Sequence, residues 1–509
     1  MKMTWQPEWA TSNRKPDFVD NDDGGASNRG IQYGWARMPA VDILKLQANE
    51  GESYGKNLKL LFAASGDLRN VIKTVGNIPA TYNGSISVTV NDRDFNTVGR
   101  NALVLLVALA VPDDSAAVYC MLHLNHSSMN RQGDLDLLNT NVRPLIQDVV
   151  DKIAGKAAET LQKKTWKFGA NELCLTLSKT CWVAMLSLLE VPPALTTKSA
   201  QRAYTDVTMA RKDSIESQYM RHSPAHRVCK EQFRKDGILL PFGNSREAFT
   251  IPNPMFFQGV TWRMRDYAED FEGWDLAEVL HLDSGLATND LYGKIFVGVK
   301  AALTRFRGVL NSRASAFALT NLQAMSLSDS LPHNTFTRIE YCKVSDRGNP
   351  DTAKVLERLG PLLQNPRANA HATLLTLFTC AVVQMSPEPF PDSEMKLEVA
   401  RVDKLMPLTI KMLTGDGGVW GVRMQLLTSA TLLVRDNEKY FSKYMQRHKF
   451  NRAAQANGMA MKEPHTIIDK WPLRSKMSPD QEGAKEEFKT RLASTYYGRE
   501  RYVEWQRTI

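Results

Sequence analysis

Apolar positions first gather at Leu58–Ala64, "LKLLFAA", a short run closed by Ser65-Gly66. Such a run with turn residues behind it predicts a strand buried on both faces. Leu68, Val71, Ile72 and Val75 then recur at i, i+3, i+4 and i+7, the spacing of one helix face. Asp67 stands where a carboxylate would satisfy the first free amides of that helix. In "GSISVTVNDRD" Ile86, Val88 and Val90 alternate with Ser and Thr, which predicts a strand ending at Asn91-Asp92. A second helix follows from Asn96 through Val111. Strand, helix, strand, helix in that order predicts neighbouring parallel strands joined by a right-handed crossover.

Beyond Asp114 the pattern turns helical. "VRPLIQDVVDKIAGKAAETLQKK" is amphipathic, and "NELCLTLSKTCWVAMLSLLE" reads as a long apolar helix stopped by Pro192-Pro193. Alternation returns in "FTRIEYCKV" (Phe336–Val344), and "ATLLTLFTCAVV" is a second apolar strand candidate. From Lys396 onward the chain reads helical and basic. The pattern therefore predicts an α/β protein whose sheet is split by a large helical insertion. Its parts are a mobile arm over 1–30, a Rossmann-like domain over 31–125, and a mainly helical insertion over 126–330. Returning strands of the same sheet follow over 331–390, then a basic helical C-terminal region over 391–509.

Composition adds little to that picture. With 43% hydrophobic and 23% charged residues, the 509-residue chain is ordinary for a globular protein. Its net charge of +9 is unevenly placed. From Lys439 to Ile509 there are 15 Lys/Arg against 8 Asp/Glu, a balance of +7. A solvated helical face explains such a balance, and an acidic partner is the sharper alternative. Tyr496, Tyr497, Tyr502 and Trp505 alternate with Arg499, Arg501 and Arg507, which suits either base stacking on RNA or docking on the parent protein. Four large aromatics in ten residues favour docking, because left exposed they would form a costly apolar patch. The six cysteines include no C-x-x-C pair and predict buried thiols, not disulfides. The first residues carry no hydrophobic signal core, so a cytoplasmic protein is expected. The longest apolar run, Ala102–Val111, is too short to span a bilayer.

The stretch "LKLLFAASGDLRNVIKTV…SISVTVNDRDFNTVGRNALVLLVALAV" resembles a domain of unknown function common in fungal proteins. The same family forms the N-terminal part of axonemal dynein assembly factor 3. Its pattern falls here on Gly66, Asp67, Arg69, Asn91, Asp92, Arg100 and Asn101. The resemblance implies a Rossmann-like, mostly parallel sheet of the kind found in class I methyltransferases. Some relatives carry a zinc-binding module, whose cysteine array is absent from this chain.

The spacing from Gly66 to Asp92 is close to that between a phosphate-side turn and a ribose-binding acid in doubly wound folds. On that reading Ser65, Gly66, Asp67, Asp92 and Asp346 would line a cofactor cleft, with Asp92 accepting from ribose hydroxyls. The leading expectation is that no cofactor binds, with S-adenosylmethionine the candidate if one does. Against that candidate, the turn holds one glycine where methyltransferases carry several, and no Asn-Pro-Pro-Tyr element follows the later strand. Without any ligand, Asp67 would cap its helix or pair with Arg69 or Arg100. No catalytic residue can be named. His222, His226 and Cys229 share one helix face only if Pro224 does not interrupt it, and Cys120, His123 and His126 match a ligand spacing less well; no metal is expected. The leading expectation is an interaction or assembly-factor-like protein on a degenerate methyltransferase-like fold. An S-adenosylmethionine-dependent methyltransferase is the alternative, and an RNA-binding protein using the basic C-terminal region is third.

Overall fold

A computed structural model describes residues 5–19, 35, 38–265, 268–342, 351–387, 391–406, 422–494 and 496–508. Its centre is a nine-stranded sheet. The strands are β1 (Leu58–Phe62), β2 (Ile86–Asn91), β3 (Leu161–Phe168), β4 (Asn171–Ser178), β5 (Ser315–Thr320), β6 (Arg338–Tyr341), β7 (Thr373–Phe378), β8 (Met459–Met461) and β9 (Arg501–Arg507). They lie side by side as β8–β9–β7–β6–β1–β2–β5–β4–β3. The six inner strands from β7 to β4 run parallel. Antiparallel partners close each end, β9 beside β7 and β3 beside β4. All four strands expected from the apolar pattern lie in this one sheet.

Helices cover it. The ones that matter below are α1 (Arg69–Gly76), α2 (Phe95–Ala110), α3 (Asp114–His126), α4 (Pro224–Asp236), α5 (Leu291–Ser312), α6 (Thr352–Leu359) and α7 (Glu438–Arg447). One face of β1 sends Leu58, Leu60 and Phe62 into a core shared with α1, α2 and α5. The other sends Leu61 into a second core with α6 and α7. That two-sided burial is why the run from Leu60 to Ala63 is continuously apolar, while Lys59 near the start of the strand stays exposed. α2 begins at Asp94, whose side chain accepts from Asn96 N, and its run from Ala102 to Ala108 is buried.

The later part of the chain departs from its sequence pattern in three places. The stretch 126–330 is less helical than its pattern predicts, because it supplies β3, β4 and β5 to the sheet. Leu173, Leu175 and Leu177 alternate inward along β4, but the apolar helix Lys179–Ser187 follows without a break and blurs the change of period. The C-terminal region is not purely helical either. Tyr496, Tyr502 and Trp505 are 7%, 2% and 0% exposed, and the last two sit on β9 inside the sheet. Arg501 stacks 4.9 Å from the Phe441 ring and 5.4 Å from that of Trp471, so this arginine is spent internally, while Tyr497, Arg499 and Arg507 stay half-buried. Finally, residues 5–19, part of the expected mobile arm, are docked. Trp9 is 1% exposed, and Arg14 grips Asp213 with two bonds of 2.6 and 2.7 Å.

Among the described residues no helix is long and apolar enough to cross a membrane. All six cysteines are free.

Candidate functional site

In an open parallel sheet, the crevice for a ligand lies outside the carboxyl ends of the strands where their order reverses. Here β2 lies on one side of β1 and β6 on the other, so the reversal falls between β1 and β6. The turn Ser65-Gly66-Asp67 leaves β1 at that point. Gly66 has a φ of +62°, a left-handed conformation that favours glycine, and no other atom lies within 4 Å of where a Cβ would stand. The glycine is therefore needed for the turn, not for close packing.

The acidic residues around the turn are engaged with the protein's own backbone and arginines. Asp92 is 1% exposed. Its Oδ2 accepts from Gly66 N at 3.0 Å and its Oδ1 from Asp94 N at 3.0 Å. Asp67 accepts from Arg69 N at 3.1 Å and from Arg69 Nε at 2.7 and 2.8 Å through its two oxygens. Burial opposes the charge on Asp67, but Arg69 and Arg100 together hold its carboxyl below the usual value. Arg69 continues to Met38 O, so the loop before β1 is tied to the same point. Ser65 is half-buried, its N donating to Asn91 O at 2.9 Å. Asp346 falls outside the described residues.

Two asparagines finish the junction. Asn91 Nδ2 donates to Ala63 O and Leu322 O at 2.9 and 3.0 Å, while its Oδ1 accepts from Thr320 Oγ1 and Leu322 N at 2.8 and 3.0 Å. Every hydrogen-bonding position of that amide is filled, and it joins the ends of β1, β2 and β5. Asn101 Nδ2, from α2, donates to Gly66 O at 2.8 Å. Arg100 is buried beside it, facing Asp67, Asp94 and Asp92, and burial pushes its guanidinium below its ordinary value. All seven positions of the sequence pattern thus meet in one polar knot.

The cavity beside Asp67 and Arg69 has a volume of about 20 Å³ and is lined in part by Trp35, Asn125, His126 and Trp274. That is room for about one water molecule. Tyr496, itself buried, donates to Glu272 O, two residues before Trp274 of that lining.

The sequence pattern gave no sign of Glu340. On β6 it is 2% exposed, with Asn70 Nδ2 donating to its Oε1 at 3.3 Å. Burial pushes its carboxyl up to about 7, against the opposing pull of Cys342, Asn70 and Arg69. Arg338, two residues earlier, is equally buried and is held by both oxygens of Glu50 at 2.8 and 2.9 Å. In "RIEY" polar and apolar residues alternate, which reads as one wet face. A charged residue in an inner parallel strand is the signal that could have marked both.

The histidine candidates do not assemble a site. His222 precedes α4, and Pro224 is the first residue of that helix. Among the described residues no group of three or more His, Cys, Asp or Glu is arranged to hold a metal ion.

Residues 34–129 match the model of a family described as a domain of unknown function (DUF4470). The match runs from before β1 to just past α3 and so takes in the whole knot. No curated protein matches the chain. No solved structure matches it either.

Proposed function

We propose that this chain is a non-catalytic interaction protein, assembly-factor-like, built on a degenerate methyltransferase-like sheet. One observation carries this reading: Asp92, the residue a ribose would need, spends both carboxylate oxygens on the amides of Gly66 and Asp94. The neighbouring Asp67 is committed to Arg69, and the cavity beside them has the volume of a water molecule. Asp92 is also 1% exposed, so a ribose hydroxyl could reach its carboxylate only if the turn that covers it moved. The interaction role itself rests on the family resemblance and is an analogy of fold. Calorimetry with S-adenosylmethionine on the intact chain tests it.

An S-adenosylmethionine-dependent methyltransferase is the second reading, and two observations favour it. The order β5–β2–β1–β6–β7 is the doubly wound order that binds nucleotides at its switch point. Apart from its chain neighbours, no atom lies within 4 Å of where a Cβ on Gly66 would stand.

A further inference from the structure

Parallel sheets are ordinarily covered on both faces. This one is not. The face of β1 that carries Leu61 continues, by strand register, through Thr89 of β2, Ala318 of β5, Cys174 of β4 and Thr165 of β3. Near β6 and β7 that face lies under α6 and α7. Outward from β2 it opens: Ala316, Ala318, Cys174 and Thr176 are only half-buried, and Thr165 on β3 is exposed. The opposite face of the same strands is closed by Leu173, Leu175, Phe317 and Leu319.

We propose that this bare face docks an amphipathic helix from an acidic partner protein. The dimensions suit one helix. Four strands at ~4.8 Å spacing give a floor about 14 Å wide, and eight residues of strand give about 27 Å of length. A helix is ~10 Å across and rises 1.5 Å per residue, so about 18 residues would cover it. Small floor side chains leave room for large apolar ones from above. The charge selects the partner. Lys59, Lys163 and Lys167 stand exposed on this same face, opposed by Glu172 alone, and among the described residues the three ammonium groups have no ion-pair partner. A second copy would bring the same lysines against them, which disfavours self-association. The floor has no aromatic ring on which a base could stack, which disfavours RNA.

The proposal rests on reading the chain as an interaction protein, but its test is independent of the cofactor calorimetry. The probe is an 18-residue synthetic helical peptide with leucines on one face and glutamates on the flanks, added to the full chain. Its twin carries lysines on the flanks. Hydrogen exchange over 161–178 and 315–320 and iodoacetamide labelling of Cys174 are the readouts. The acidic peptide should slow both, the basic twin neither, and Lys163→Glu with Lys167→Glu should weaken binding at least tenfold. The proposal is overturned if Cys174 resists labelling in the free chain, because another part of the chain then covers the face. It is equally overturned by protection that ignores charge reversal, by an RNA oligonucleotide protecting the same strands in place of the peptide, or by none at ~1 mM peptide.

Discussion

Asp92 Oδ2 accepts a hydrogen bond from Gly66 N at 3.0 Å, joining the turn after β1 to the end of β2. In a nucleotide-binding sheet those two positions would face a ligand from opposite sides. Here they face each other, and the same carboxylate also fixes Asp94, the residue that caps α2. Asp92→Ala would orphan two amides in a buried junction. The expected loss is roughly 1.5–3 kcal/mol of stability, read from denaturant midpoints, with Asp92→Asn losing less. A change below about 0.5 kcal/mol, as at an ordinary surface position, would mean that the knot holds nothing together.

Glu340 makes stability depend on pH in a definite direction. Its folded value of about 7 lies above the ordinary 4.5, so between those values the folded chain keeps a proton that the unfolded chain releases. Stability contributed at this site is greatest below pH 4.5, falls as pH rises, and is fully lost above about 7. The span corresponds to ~3 kcal/mol. Glu340→Gln keeps the shape without the proton, so it should flatten the profile and be more stable than the parent at pH 8. Parallel profiles for the two chains would show that Glu340 does not titrate in this way.

Glu504 on β9 is the anchor of the C-terminal region. It is 0% exposed, and its carboxylate accepts from the amides of Thr466, Ile467 and Ile468 at 2.9, 2.8 and 3.1 Å. Glu504→Ala leaves all three without an acceptor and should cost about 3–5 kcal/mol. Hydrogen exchange should quicken first in 459–468, the segment these bonds hold. An unchanged melting temperature would show that β9 is not an integral strand.

The first half of the sheet was legible because its strands are short, apolar and separated by helices of plain 3.6-residue period. β1, α1, β2 and α2 lie within a residue or two of their expected bounds. β4 was hidden by the apolar helix that follows it, and β9 by a composition that suits a basic tail equally well. The positions of the polar knot were visible as residue types, but not their partners. Whether Asp92 faces a ribose or its own Gly66 depends on backbone placement that no spacing in the sequence encodes. Glu340 is hidden in the sequence because alternation normally marks a half-wet strand, whereas both faces of β6 are buried.

Titration calorimetry of S-adenosylmethionine into the purified full-length chain bears most directly on the central claim that the knot closes the cofactor crevice. The account predicts no saturable heat at ligand concentrations up to about 1 mM, for the parent and for Asp92→Ala alike. One-to-one binding tighter than about 100 μM, lost in Asp92→Ala, would contradict it and make the chain a cofactor-binding protein.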